Sequence, residues 1–166
     1  MSAPAIIDPT TDPRAFRNAL GAFPTGVTLI TTETPEGLVG IVANSFASVS
    51  LDPPLVLWSP AKTSSRFDIF AQAERYCIQI LAEDHKAICD QVIADKFAVG
   101  AAPHQKTDCG FAVLEGALAA FDCTQFAVHD AGDHAIIVGQ VNKSYHHAGT
   151  PLVFHGGAYA QLAKSA

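Results

Sequence analysis

Charge is scarce in this chain: Asp, Glu, Lys and Arg together make up 16% of its 166 residues, with 16 acids against 10 bases. At a net charge of −6 and with no basic run, the attraction that drives binding to a phosphate backbone is missing, and nucleic acid is excluded as the expected partner. No stretch approaches the roughly 18 continuous apolar residues of a membrane span. The start, MSAPAIIDPTTDPR, lacks a basic segment followed by an apolar one, so a cytoplasmic protein without a membrane partner is expected. Cys77, Cys89, Cys109 and Cys123 stand too far apart for a CxxC redox pair or a zinc knuckle. Cys77 and Cys123 fall in apolar runs and read as small buried hydrophobes. Equally absent are GxGxxG, GxxxxGK[ST], GxSxG and HExxH. Their lack disfavours a Rossmann domain, a P-loop, a serine elbow and a helical zinc site. Although seven histidines are present, they form no short-range ligand pair, and no metal is expected.

What the chain has in abundance is apolar character, 49% of its residues, enough for a full core. We expect a tail over 1–13 and one domain over 14–166. So little charge leaves apolar surface to cover, which predicts a homo-oligomer. RAFRNALGAF (14–23) sets Phe16, Leu20 and Phe23 at helical spacing before Pro24. TGVTLITT and LVGIVANS, separated by ETPEG, read as a hairpin. SFASVSL, the breaker DPP and LVLWS give a second pair of strands. A helix is expected over 65–73, with Ser65 and Asp68 in the order of a capping box. RYCIQILA is a strand, and DHKAICDQVIADKF an amphipathic helix carrying Ile88, Val92 and Ile93. After a polar loop over about 98–110 come two long β segments, LEGALAAFDCTQFAV and HAIIVGQVNKSYHH, and then PLVFH and GAYAQL. Seven to nine strands joined mostly by hairpins, with three helices, predict a mainly β fold: an antiparallel barrel with helices outside.

Three stretches bear chemistry. WSPAKTSSRF (58–67) sets Lys62, Thr63, Ser64, Ser65 and Arg66 around a helix start, where unpaired N–H groups and a partial positive charge suit a phosphate. It reads equally as an N-cap with two solvated cations. NSFASVS supplies Asn44, Ser45, Ser48 and Ser50, a polar edge suited to a flat heteroaromatic ligand or merely an irregular edge strand. HDAGDH (129–134) clusters two histidines and two aspartates about Gly132.

Taken in order, FRNALGAFPTGVTLITT, VANSFASVSLDPPLVLWSPAKTSSRFDIF, CIQILAEDHKAICDQVIADKF, LEGALAAFDCTQFAVHDAGDHAIIVGQV and PLVFHGGAYAQL resemble the flavin reductase-like family, over roughly residues 14–162. The resemblance implies a six-stranded antiparallel split β-barrel with Greek-key connections, the FMN-binding split barrel. It also implies a homodimer holding FMN (or FAD) at its interface, with NADH (or NADPH) as hydride donor and a flavin-dependent monooxygenase as recipient of the reduced flavin. Carried over by position, Asn44, Ser45, Ser48, Val49 and Ser50 contact the flavin ring and ribityl chain, and Ser59, Lys62, Thr63, Ser64 and Ser65 hold its phosphate. Thr25, in TGV, and Phe97, after Lys96, are further contacts. The GDH turn lies beside the nicotinamide: His134 is the catalytic candidate that touches it, Gly132 allows close backbone approach, Asp133 fixes the turn, and Tyr159 is a neighbour. His129 and Asp130 are left as ordinary turn residues. Trp58 departs from the family pattern, where a smaller apolar residue or phenylalanine is expected.

The cofactors carry the electronic chemistry and the protein supplies orientation, so no essential general acid or base is expected. The absence of a basic pair beside the GDH turn favours NADH. Two competing readings are a pyridoxine-phosphate-oxidase-like enzyme, which should lack the GDH turn, and a non-catalytic flavin- or haem-binding split-barrel protein.

Overall fold

Thr28–Thr34 (β2) and Gly37–Ala43 (β3) pair antiparallel from Thr28↔Ala43 to Thr34↔Gly37. β-branched residues favour the pleated strand, and Pro35-Glu36, followed by Gly37 at φ 131°, turns the chain. In the computed structural model, which describes residues 6–107 and 110–162, this hairpin opens the main sheet. Thr25–Gly26 (β1) precedes it. Ala47–Leu51 (β4) and Pro54–Trp58 (β5) form a second hairpin. Arg75–Ile80 (β6) follows, then the short pair His104–Lys106 (β7) and Ala112–Leu114 (β8). Ala119–Ala131 (β9) and His134–His146 (β10) make a long ribbon, and Val153–His155 (β11) and Ala158–Ala160 (β12) end the described chain.

The main sheet runs β3-β2-β6-β9-β10-β5-β4. Its two edges, β3 and β4, are joined by residues 44–46 alone. Laid flat, seven strands would separate those edges by roughly 29 Å, whereas the short link from Ala43 to Ala47 reaches at most about 14 Å. The sheet therefore curls into a barrel, with an unpaired seam where Asn44, Ser45 and Phe46 cross. β5 and β6 are neighbours in the chain but are separated in the sheet by the β9–β10 ribbon, the crossover of a Greek-key path. Among the described residues the principal sheet has seven hydrogen-bonded strands, the short edge strand β4 included, where the resemblance implies six. β1, β11 and β12 form a separate three-stranded sheet.

β2 is covered on both faces. Ile30 belongs to the barrel interior with Val39, Val56, Trp58, Phe70, Tyr76, Ile78 and Ile137. Its neighbour Leu29 packs outward with Leu81, Cys89, Val92, Val99 and Leu152. Trp58 is a core plug: its ring meets both Phe70, at 5.3 Å, and Tyr76, at 6.2 Å, edge-on, and it is fully buried. The outward cluster is roofed by helix Lys86–Ala94 (α3). Cys77, Cys89 and Cys123 are buried free thiols, as expected for Cys77 and Cys123; Cys109 lies outside the described residues.

Several boundaries differ from expectation. The first helix (α1) spans Pro13–Leu20, capped by Asp12, whose carboxylate accepts from the Ala15 N–H at 2.9 Å, and it buries no residue. Phe23 is 75% exposed, because the apolar side of α1 faces a groove instead of the core. The helix expected over 65–73 is only Phe67–Ala71 (α2), and its capping box is not formed. Ser64 takes that place: its Oγ accepts from the Arg66 N–H at 3.2 Å and its carbonyl from the Phe67 N–H at 2.9 Å. α3 stops at Ala94 because Asp95 is extended and its carboxylate accepts from the Phe97 N–H. Ile93 consequently stays exposed. The loop expected over 98–110 contains a 3₁₀ turn at Ala98–Ala101 and β7. No helix among the described residues is long and apolar enough to cross a membrane.

Candidate functional site

The β9–β10 ladder continues to the pair Ala131↔His134, so the turn consists of Gly132 and Asp133 alone. Gly132 has φ 71°, the left-handed conformation that a glycine at the first position of a two-residue hairpin loop provides. His129 and Asp130 are therefore strand residues, opposite Ile136 and Ala135, and not turn residues as the sequence suggested.

This hairpin tip is docked on the SPAK loop. Ala135 donates its N–H to the Pro60 carbonyl at 3.1 Å, Lys62 donates its N–H to the Asp133 carbonyl at 2.9 Å, and Ala61 bridges to His134. The Lys62 ammonium then closes the contact, donating to Asp130 Oδ2 at 2.9 Å and to the Gly132 carbonyl at 2.6 Å. His134 Nδ1 lies 2.7 Å from Asp133 Oδ1, which fixes the ring over the turn. The two carboxyls are held below the usual carboxylate range, that of Asp130 by Lys62 and that of Asp133 by His134.

The second cation of the stretch is spent elsewhere. Arg66 Nη2 donates to the carbonyls of Val92 and Ile93 at 2.6 and 3.1 Å, satisfying the last turn of α3. With α2 only five residues long, the loop and not a helix end supplies donors. Among the described residues, neither the Thr63 nor the Ser65 N–H has a protein acceptor, and both residues are exposed. Together with the remaining N–H of Lys62, they form a cradle of a kind that suits phosphate oxygens.

Beside this loop runs the barrel seam. Ser45 and Ser59 clamp one another across it: Ser59 N–H donates to Ser45 Oγ at 2.8 Å, and that hydroxyl donates to the Ser59 carbonyl at 3.2 Å. The Ser45 hydroxyl thus serves the fold. Ser48 and Ser50 sit on edge strand β4 opposite Val56 and Leu55, with Val49 bulged between them and half-exposed.

Asn44, at the start of the seam, borders two adjoining cavities. One, of about 540 Å³, is lined by Arg17, Leu20, Phe23, Thr25, Asn44 and Phe154 among others. The other, of about 180 Å³, is lined by Val42, Asn44, Ile93, Phe154 and Tyr159 among others. Sharing Asn44 and Phe154, they form one groove that brings together Thr25, Asn44 and Tyr159 from three distant stretches. Its mouth is shaped by Gly156 and Gly157, at φ 58° and 83°, the tight turn between β11 and β12 whose first N–H bonds the Gly21 carbonyl at 2.8 Å. Among the described residues, Thr25 Oγ1 is buried there without a hydrogen-bond partner, an atom free to serve a ligand. Partial burial pushes the Tyr159 phenol up to about 12, and burial pushes the neighbouring Cys89 thiol up to about 11, so both stay neutral near pH 7.

Phe97 is not among the residues lining this groove; it stacks under the Lys96 ammonium, 5.1 Å from its ring centre. A separate cavity of about 570 Å³ is lined by Glu33, Glu36, Asp68 and Glu74 beside Arg75. It contains none of the candidate ligand-binding residues, and its acids would repel an anionic ligand. Sequence reasoning missed Phe154, Ile93 and Asp130. The GG pair before AY was the available signal for Phe154, whereas Asp130 carried no local signal because its partner is 68 residues away.

Residues 20–163 match the family model described as the flavin reductase like domain. The chain is 50% identical over 151 residues to an FMN reductase (NADH) of Agrobacterium fabrum, covering 91% of this chain and 87% of that one. It is 38% identical over 157 residues to a reductase subunit of a flavin-dependent monooxygenase from Mycobacterium tuberculosis, covering 91% of this chain and 83% of that one. Among solved structures, it superposes with a TM-score of 0.89 on the NADH:FAD oxidoreductase of Streptomyces globisporus in complex with NAD and FAD fragments. That pair shares 28% identity, with 98% of this chain and 99% of that one covered.

Proposed function

The chain belongs to the flavin reductase-like family, and from that premise we propose that it is an NAD(P)H:flavin oxidoreductase, reducing FMN or FAD with NADH as the preferred donor and supplying the reduced flavin to a partner monooxygenase. The observation that carries this reading is the Ser45–Ser59 clamp, which ties the loop bearing the phosphate cradle at Thr63 and Ser65 to the barrel seam, where Asn44 borders an apolar groove lined by Thr25. These residues fit a flavin phosphate at one end and a flat ring at the other.

When bound, the flavin and the nicotinamide supply the hydride chemistry between them. The chain's own residues bind and orient. Thr63 and Ser65 offer backbone donors to the phosphate, and Lys62 offsets its charge. Asn44 and Thr25 offer polar atoms to the ring edge, while Phe154 and Val42 give apolar cover. His134, held by Asp133, would contact the bound dinucleotide, and Gly132 would leave room for its close approach. Tyr159 remains protonated beside the groove. No residue is required to move a proton, so the enzyme works by holding its two ligands in register. The protein acts as a cytoplasmic homodimer, with apolar residues such as Phe126, Val128 and Leu51 on the monomer surface available for burial against a second copy.

The test is to mix purified protein with NADH and add FMN or FAD while following nicotinamide absorbance. Flavin-dependent oxidation is expected; its absence with both flavins and with both NADH and NADPH overturns the reading.

A further inference from the structure

We infer that Asp130 is a positioning residue of this site: by holding the Lys62 ammonium against the hairpin tip, it couples anion binding on the Thr63–Ser65 loop to the seating of the dinucleotide at Gly132–His134. The inference rests on the reading of the site given above.

The geometry is specific. β10 reaches the SPAK loop through backbone contacts at His134 and Ala135. On the β9 side, among the described residues, the Asp130 side chain alone does so. Pro60 has no N–H and Ala61 no polar side chain, so Lys62 is where the loop can answer. Its ammonium has three N–H groups. One goes to Asp130 Oδ2 at 2.9 Å and one to the Gly132 carbonyl at 2.6 Å, which leaves the third for an anion on the loop.

Among the described residues, Asp133 also feels the Lys62 charge, but neither it nor Arg66 takes the place of Asp130 or Lys62 in these hydrogen bonds. Asp133 is engaged by His134 at 2.7 Å, and Arg66 is engaged by the α3 carbonyls. The Lys62 side chain is 34% exposed and that of Asp130 81%. A pair so exposed adds little to folding, but it does fix where the ammonium stands. An anion that draws the ammonium toward the loop pulls on the Gly132 carbonyl, and the tip follows. By thermodynamic linkage, whatever seats on the tip must then alter anion affinity by the same factor.

Two measurements on the full chain test this. In the first, inorganic phosphate is titrated into isotopically labelled protein while the amide resonances of Gly132, Asp133 and His134 are followed. They should shift in the wild type, shift at least about threefold less in Asp130→Asn, and recover in Asp130→Glu. The second is steady-state kinetics at saturating FMN. Asp130→Asn should raise KM for NADH roughly fivefold with kcat within about twofold, and Asp130→Glu should restore it. Lys62→Met with Asp130→Asn should then be no worse than Lys62→Met alone. Tip resonances indifferent to phosphate in the wild type, or an unchanged KM in Asp130→Asn, would overturn the coupling. Additive losses in the double variant would do the same. A wild type that shows the phosphate response but no NADH oxidation would instead retain the coupling and sink the functional reading.

Discussion

The β9–β10 ribbon passes through two environments within one pair of strands. In its middle, Cys123, Ile137 and Gly139 are buried, and the backbone approaches Tyr76 so closely that a Cβ on Gly139 would meet the Tyr76 hydroxyl and lie 3.0 Å from Cys123 Cβ. At its tip, Asp130, Gly132 and Asp133 are exposed and held by one ammonium and a few hydrogen bonds. The middle is set by packing and the tip by polar contacts. Substitutions in the middle should therefore act on folding, and those at the tip on ligand binding.

The largest effect is expected from the middle. Gly139→Ala overpacks a site that cannot give way cheaply and should cost about 1–3 kcal/mol, read as a lower urea midpoint. Because the Tyr76 hydroxyl is the atom that a Gly139 Cβ would meet, adding Tyr76→Phe should recover part of that loss; no recovery would place the clash elsewhere. At the junction, Lys62→Met should weaken FMN roughly tenfold or more while leaving riboflavin, which has no phosphate, nearly unaffected. If the two flavins weaken alike, the cradle is misassigned.

A smaller change is expected at the end of the tip. His134→Ala should raise KM for NADH by about fivefold to tenfold and leave FMN affinity within about twofold. Collapse of flavin binding would move His134 to the flavin side of the site. The smallest response should be to pH. Asp130 and Asp133 have folded pKa values below the usual carboxylate range, so the stabilisation they give is present above the unfolded value and lost only as pH falls through the lowered one. Protection of the tip amides, taken relative to the intrinsic exchange rate at each pH, should thus be unchanged by the state of these carboxylates between about pH 7 and about pH 5, and should fall below about pH 4 while the middle of the ribbon stays protected.

The same contrast governs what could be read from the residues in order. The apolar runs TGVTLITT and LVGIVANS around ETPEG revealed a hairpin, and Gly132 in HDAGDH marked a turn though not its two-residue length, because these signals are local and backbone-determined. Helix ends were less legible. The Ser65–Asp68 pattern suggested a capping box, but Ser64, one residue earlier, captured the donors instead. α1 showed apolar spacing without revealing that Leu20 and Phe23 would border a groove. Arg66 looked like a phosphate ligand until α3 supplied the carbonyls that occupy it.

By itself, the sequence determined the strand-rich fold, the buried character of Cys77 and Cys123, and the family, through motifs that follow one another along nearly the whole chain. Tertiary structure alone decided which of the singled-out side chains remain free. Closure of a seven-stranded sheet across a three-residue link brings the seam, the SPAK loop and the ribbon tip together, and there Ser45 is consumed by Ser59, Arg66 by α3, and Lys62 in part by Asp130. Hydrogen-bonding capacity is a property of each residue, but its use depends on which partners lie within about 3 Å, and the chain path sets those partners across distances that no local pattern records.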